Sequence, residues 1–326
     1  MLTSPTRETR SRHRESLLRE LGDAVVRALA DDDVTEVMLN PDGRLWIDSH
    51  SRGLAPIEST MEPAQAESLL STVAGLLDRV VNEHHPILEA ELPLDGSRIE
   101  GLLPPIVPVP VFAIRKRAGA VYTFEQYVGA GLLSEGEADA VRAAIVDRHN
   151  ILVSGGPGSG KTTFANAIIR EMESLASHTE RLLIIEDTYE LRCESPNHVS
   201  LHTTETVTLR ELVRAAIRLR PDRILIGEVR GEEALDLLKA WNTGNPGGCA
   251  TVHANSARDA LDRLDHLAQE AGVPAHAALV ASTVDLVVHM ERIGSKRRVQ
   301  HLASVLGYDP SSGYSVQSVA GKEDPK

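Results

Sequence analysis

Nine consecutive residues, Gly155, Gly156, Pro157, Gly158, Ser159, Gly160, Lys161, Thr162 and Thr163, constrain this chain more than any others. They fit the pattern G-x-x-x-x-G-K-[ST], with the apolar run NILVS (150–154) leading in and a helix-forming stretch leading out. A strand, a glycine-rich loop and a helix in that order let successive backbone N–H groups face phosphate, and the helix aims the positive end of its dipole at the same place. Lys161 then reaches the β and γ phosphates and Thr162 ligates Mg2+, so ATP and Mg2+ are the expected ligands.

The rest of the C-terminal half supplies a fold for such a loop. RLLIIE (181–186), RILIGE (223–228) and CATVHA (249–254) alternate with helical stretches beginning near Thr208, Glu232 and Ser256. Thr208 with Glu211 makes a capping box, and Ser256 with Asp259 its looser form. Strands alternating with helices of this length indicate an α/β fold around a mostly parallel sheet. Three later pieces, 285–292, 297–309 and 313–320, are expected to add an antiparallel edge.

Ligands of open parallel sheets sit beyond the carboxyl ends of the strands. Glu228 ends RILIGE there, which makes it the expected hydrolytic carboxylate and, with Thr162, a holder of Mg2+, directly or through water. Asp222, at the opposite end of that strand, is assigned a capping or salt-bridging role. Glu186 and Asp187 end RLLIIE, and adjacent residues point to opposite sides, so one of them faces the site. Glu186 is the candidate for positioning water or tuning the metal, with a turn-forming role as the alternative. His253 ends CATVHA, where a lone histidine reads first as structural.

The N-terminal third reads differently. Helical spacing from Leu17 to Ala30 precedes EVMLN (36–40) and GRLWID (43–48), which flank turn residues at 41–43. A second helical stretch covers 63–82, and extended pieces at 96–103 and 109–116 are separated by prolines. A small N-terminal α/β domain is therefore expected over 1–117. The stretch 118–133 carries three glycines and no strong period, which suggests a linker. A second domain, 134–326, then opens on a capping box of Ser134 and Glu137.

A length of 326 residues suits two domains, and a net charge of -13 disfavours DNA coating, so no sequence-specific nucleic-acid binding is expected. Two cysteines, Cys193 and Cys249, make neither a disulfide framework nor a zinc set, and His84, His85 and Glu89 lack further ligands at metal-binding spacing. The chain has no run of about 18 uncharged apolar residues and no apolar segment near its start, so a cytoplasmic location is expected. Arg7, Arg10, Arg12 and Arg14 leave peripheral contact with an anionic membrane open.

Four segments in order, GGPGSGKTT, LLIIEDTYEL (182–191), RLRPDRILIGEVRG (218–231) and GNPGGCATVHANSA (244–257), resemble the phosphate loop, aspartate box, second Walker motif and histidine box of the secretion ATPase superfamily. The likeness is to type IV secretion traffic ATPases of the conjugal-transfer TrbB type, and LKAWNTGNPGG (238–248) points to the conjugation branch. The resemblance implies a RecA-like C-terminal domain stacked with an N-terminal domain, ATP at their junction, and a homo-hexameric ring working with inner-membrane secretion-channel subunits. It also raises His253 to a site residue. Arg98 in DGSRI (95–99) and Arg115 in FAIRK (112–116) match arginines that approach the nucleotide in such proteins, a sound choice for charge developing on the γ-phosphate. A departure is Cys249 within the histidine box. Two alternatives stand beside this reading: a type II secretion or pilus motor, whose assembly members usually carry a four-cysteine zinc module that two cysteines cannot supply, and an ATP-switched structural ring with little turnover.

Overall fold

Two different apolar patterns build the two units, one with a single core and one with a core on each face of its sheet. The structure, a computed structural model, describes residues 7–49, 51–116, 121–175, 177–204, 206–294 and 296–319. The chain divides into unit 1, Met1–Gly119, and unit 2, Ala120–Lys326.

Unit 1 runs α1 (Arg7–Ala30), β1 (Val34–Leu39), β2 (Arg44–Ser49), β3 (Ala55–Thr60), α2 (Pro63–Leu76), β4 (Ile87–Glu91), β5 (Arg98–Leu102) and β6 (Val111–Arg115). Its strands form an antiparallel sheet in the order β3-β2-β1-β6-β5-β4. Alternation puts Val37, Leu39, Ile99, Phe112 and Ile114 on one face, where they form a core with Leu17, Leu21 and Val25 of α1 and Leu69, Leu70 and Val73 of α2. Glycine is needed at 101 because a Cβ there would lie 2.2 Å from a Leu70 methyl. Helix α2 starts on Pro63, where the missing N–H costs nothing, and ends at Leu76, short of the expected 82. Strands β3 and β4 were not legible as strands in the sequence.

Unit 2 runs α3 (Phe124–Gly129), α4 (Glu135–Val146), β7 (Ile151–Gly155), α5 (Lys161–Leu175), β8 (Leu182–Glu186), β9 (His198–His202), α6 (Leu209–Ile217), β10 (Arg223–Ile226), α7 (Glu233–Asn242), β11 (Cys249–His253), α8 (Ala257–Gln269), α9 (Ala277–Thr283), β12 (Leu286–Ile293), β13 (Lys296–Asp309) and β14 (Gly313–Ser318). The strand order is β14-β13-β12-β7-β11-β10-β8-β9. From β12 to β9 every pairing is parallel, and antiparallel pairing is confined to β12–β13 and β13–β14. The piece at 285–292 therefore departs from the antiparallel expectation: α8 and α9 carry the chain back across the sheet, so β12 re-enters parallel to β7.

Both faces of this sheet are covered. Leu152, Leu183, Ile185, Ile224, Ile226 and Val252 point into one core with α6, α7, α8 and α9, and Ile151, Val153, Ile184 and Leu225 point into the other with α4 and α5. Full burial of each such side chain contributes about 1.5–3 kcal/mol. Ser134, Thr208 and Ser256 cap α4, α6 and α8 as their spacing indicates, each stabilising its helix by about 1 kcal/mol.

The segment expected as a linker is, from Phe124 onward, part of unit 2. Thr123 and Gln126 form a capping box at the start of α3, Phe124 stacks on Phe164 at 5.6 Å, and Tyr127 meets the same ring edge-on at 5.2 Å. Its glycines hid a short aromatic-faced helix. Residues 118–120 of that expectation lie outside the described residues.

Candidate nucleotide site

Strand β7 delivers the chain into the phosphate loop between β11 and β12: Gly155 lies opposite His253 on one side and Met290 on the other. Glycine is required at 155 by close approach, since a Cβ would stand 2.4 Å from Met290 O and 2.5 Å from Ser159 Oγ. Helix α5 starts on Lys161, with Thr162 and Thr163 as its next residues. Lys161 is buried, and its Nζ donates to Gly155 O at 3.0 Å and Gly156 O at 3.1 Å.

A chain of side chains leads away from that ammonium. Lys161 Nζ lies 3.2 Å from His253 Nδ1, and His253 Nε2 lies 3.0 Å from Glu228 Oε1. An ammonium only donates, so Nδ1 accepts, and Nε2 carries the proton given to Glu228. Glu228 Oε2 takes a hydrogen bond from Arg230 at 2.9 Å, Arg230 reaches Asp187 at 3.5 Å, and Thr203 Oγ1 donates to Asp187 at 3.1 Å. Burial pushes the Glu228 carboxyl up, but the hydrogen bond and charge of Arg230, with His253 and Lys161, outweigh it and hold its pKa below the usual carboxylate value.

Of the residues singled out in the sequence, Lys161, His253 and Glu228 are thus brought together. Glu228 lies two residues beyond the last residue of β10, in the irregular segment that follows it.

Glu186 is placed differently from expectation. It is buried at the end of β8, where Oε1 accepts from the N–H groups of Glu190 at 3.0 Å and Leu191 at 2.7 Å, and Oε2 lies 3.6 Å from His202 Nε2. Its carboxylate fixes the loop after β8. Asn166 of α5 holds that loop too, accepting from Arg192 N–H at 2.7 Å and donating to Glu190 O at 3.0 Å. Asp187, the neighbour on the other side of the strand, is the acid that joins the Glu228 network.

Arg98 and Arg115 are cross-strand partners in β5 and β6 of unit 1. Arg98 pairs with Glu89, and Arg115 Nε lies 3.8 Å from Glu36. Cys249 has a packing role: it is buried in the core on the α5 side, and burial pushes its thiol up to about 12.

Arg230 was missed in the sequence, and Asp187 was weighed there only as the neighbour of Glu186. The signal was available in E-V-R, because a half-buried strand-end carboxylate needs a cationic neighbour, but the join to Asp187 depends on β8 and β10 being adjacent.

The loop fits a phosphate chain. Gly158 and Gly160 adopt φ of +66° and +92°, and Ser159 Oγ is buried without a hydrogen-bond partner among the described residues. No helix among the described residues is long and apolar enough to cross a membrane.

A family model described as "Type II/IV secretion system protein" matches residues 19–313. The chain is 48% identical over 288 residues to the conjugal transfer protein TrbB of Rhizobium radiobacter, with 88% of each chain covered. It is 47% identical over 302 residues to the probable conjugal transfer protein TrbB of Sinorhizobium fredii, covering 93% of this chain and 92% of that one. Among solved structures, the ATPase DotB of Legionella pneumophila matches at a TM-score of 0.60 and 18% identity, over 91% of this chain and 81% of that one. That likeness bears on the fold, a RecA-like P-loop domain with a smaller N-terminal α/β domain. With a family match over most of its length and close to half its residues shared with conjugal transfer proteins, the chain belongs to the type II/IV secretion system protein family, in its type IV secretion and conjugal-transfer branch.

Proposed function

We propose that this protein hydrolyses ATP and uses it to energise substrate transfer or pilus assembly in a conjugation or type IV secretion system. The observation that carries the reading is the continuous contact from Lys161 through His253 to Glu228, which links the phosphate-binding cation to the acid beyond β10. Lys161 binds the β and γ phosphates, and Glu228, kept ionised, orients the attacking water. His253 reports between them: when Lys161 turns to phosphate, its bond to Nδ1 is given up and the hold of His253 on Glu228 changes. Arg230 and Asp187 keep the second Glu228 oxygen in place, and Glu186 supports the site by fixing the loop that carries Asp187.

In the same reading Thr162 and Glu228 hold Mg2+, the latter directly or through water. One hydroxyl and one carboxylate suit a cation that takes its other ligands from phosphate and water. Bound Mg2+ supplies neutralisation of charge on the β and γ oxygens.

Family membership supports a homo-hexamer at the cytoplasmic face of the inner membrane, working with the channel's membrane subunits. It also supports a division into an N-terminal domain near 1–117 and an ATPase domain that includes the α3 segment, with Arg98 and Arg115 contributing charge toward the nucleotide. Phosphate release and nucleotide binding on Lys161→Ala and Glu228→Gln test the chemistry: the first is expected to lose binding, the second to bind ATP and lose turnover. A Glu228→Gln protein turning over at the parental rate overturns the assignment. Light scattering with a non-hydrolysable ATP analogue tests the ring, which a monomer at maximal activity overturns.

A further inference from the structure

The hairpin joining β12 to β13 runs alongside the phosphate loop: β12 pairs with β7 up to Met290 opposite Gly155 and continues beyond it paired with β13 as far as Ile293 opposite Lys296. Arg292 and Arg297 are cross-strand partners on that hairpin. Arg297 Nε donates to Gly158 O at 3.0 Å. Its Cβ and Cδ lie 3.3 and 3.4 Å from where a Cβ on Gly160 would stand, so the side chain lies along the loop backbone from Gly160 to Gly158. A guanidinium nitrogen of Arg292 lies 3.5 Å from the corresponding place at Gly158.

We propose that Arg297 is a positioning residue for nucleotide phosphates, acting through the Gly158–Ser159 peptide; the proposal rests on reading residues 155–163 as the phosphate loop. A loop of this kind binds anions by turning N–H groups inward, and any carbonyl that turns inward repels phosphate. The peptide between Gly158 and Ser159 is planar, so its carbonyl and its N–H rotate as one body. That body is held at both edges, by Arg297 at Gly158 O and by Gly156 O, which accepts from Ser159 N–H at 3.3 Å. Lys161 does the same for the first carbonyls of the loop, at Gly155 and Gly156. The loop is therefore braced from within by Lys161 and from outside by Arg297. Arginine suits the outer position because its rigid fork donates in a fixed direction while adding a permanent positive charge. Phosphate binding is thereby tied to the edge of the sheet formed by β12, β13 and β14.

The test is ADP·Mg2+ affinity by titration calorimetry, with KM and kcat for ATP, on the full chain. Arg297→Ala is expected to weaken ADP about fivefold to tenfold, the range of a charge-assisted hydrogen bond discounted for partial exposure, and to raise KM in parallel with kcat within about twofold. Arg297→Lys, which keeps the charge and loses the fork, is expected to recover part of the affinity. Arg298→Ala removes the same charge from the same hairpin, at a residue whose side chain lies 3.8 Å from Glu291, and is expected to bind ADP as the parent does. Parental affinity in Arg297→Ala, equal weakening in Arg298→Ala, or loss of kcat with affinity intact overturns the proposal. Should Arg297→Ala not fold, Arg297→Lys decides by the same comparison with Arg298→Ala. A parent protein that does not bind ADP overturns the phosphate-loop reading and this proposal with it, whereas a parent that binds and an Arg297→Ala that binds equally overturns this proposal alone.

Discussion

Strand β10 carries an ion network at each end, and the two are built on opposite principles. At the amino end Arg223 is 2% exposed; its Nε donates to Glu180 at 2.6 Å, and one Nη donates to Ile145 O and Gly247 O, each at 3.1 Å. A Cβ on Gly247 would stand 2.7 Å from that guanidinium, so the backbone has closed around it. At the carboxyl end the side chains of Arg230 and His253 are 51% and 46% exposed, and among the described residues it is these side chains that hold the Glu228 carboxylate. A buried cation fastened to two backbone carbonyls and a carboxylate has no partner to exchange, and removing it leaves Ile145 O and Gly247 O without that donor and Glu180 with Arg148 alone, 2.9 Å away. An open chain of side chains can exchange one partner for a ligand at little cost. The first network belongs to folding, and the second is the one proposed for chemistry.

The sharpest break of that comparison is in activity. Glu228→Gln is expected to reduce ATP turnover by at least about a hundredfold while its melting temperature stays near the parental one; equal losses of stability and turnover would erase the distinction between the two ends. The mirror experiment is Arg223→Met, where loss of a buried partner is expected to cost about 3–5 kcal/mol and lower the melting temperature of unit 2 by on the order of 10 °C. Turnover per folded molecule is expected to persist.

Arg230→Ala sharpens the contrast further. Burial then acts on Glu228 with its main lowering influence gone, so its pKa rises, and the acid limb of the pH–rate profile is expected to move to higher pH, with the largest loss of turnover at the acid end and a smaller one near neutrality. The smallest effect concerns acid stability. Burial raises the Glu180 carboxyl, but Arg223 and Arg148 outweigh it and leave its folded pKa below the ordinary 4.5. A depressed folded pKa stabilises the native state above 4.5, and that contribution is lost as pH falls through the folded value. Glu180→Gln is therefore expected to flatten the fall of melting temperature on acidification below about pH 4.5, and Glu228→Gln to flatten it less.

The parts legible in the sequence are those where one physical pressure dominates. Strands β7, β8 and β10 are buried at every residue, and their apolar runs announced them. Strand β3 alternates half-buried and exposed residues and contains Pro56, while β9 is an edge strand with no fully buried residue, and neither stood out. The site divides in the same way. Lys161 and Glu228 follow from loop chemistry and a strand end and His253 from the resemblance, whereas Arg230 and Arg297, and the join of Asp187 to Glu228, depend on contacts between segments apart in the chain. Between Glu186 and Asp187 alternation says that two neighbours face opposite sides but not which side holds the loop, so the sequence left the turn-forming alternative for Glu186 open.

Helix α3 has a mechanical corollary. Arg142 of α4 binds Glu125 of α3 at 2.6 Å and Glu171 of α5 at 3.0 Å, and its guanidinium lies 5.5 Å from the centre of the Phe124 ring. Phe124 and Tyr127 rest on Phe164, three residues past Lys161. Helix α3 is therefore fastened to the root of the helix that begins on Lys161. A displacement of the first turn of α5 is delivered to α3 through the shared ring and the shared guanidinium, so the two helices shift as one lever rather than separately.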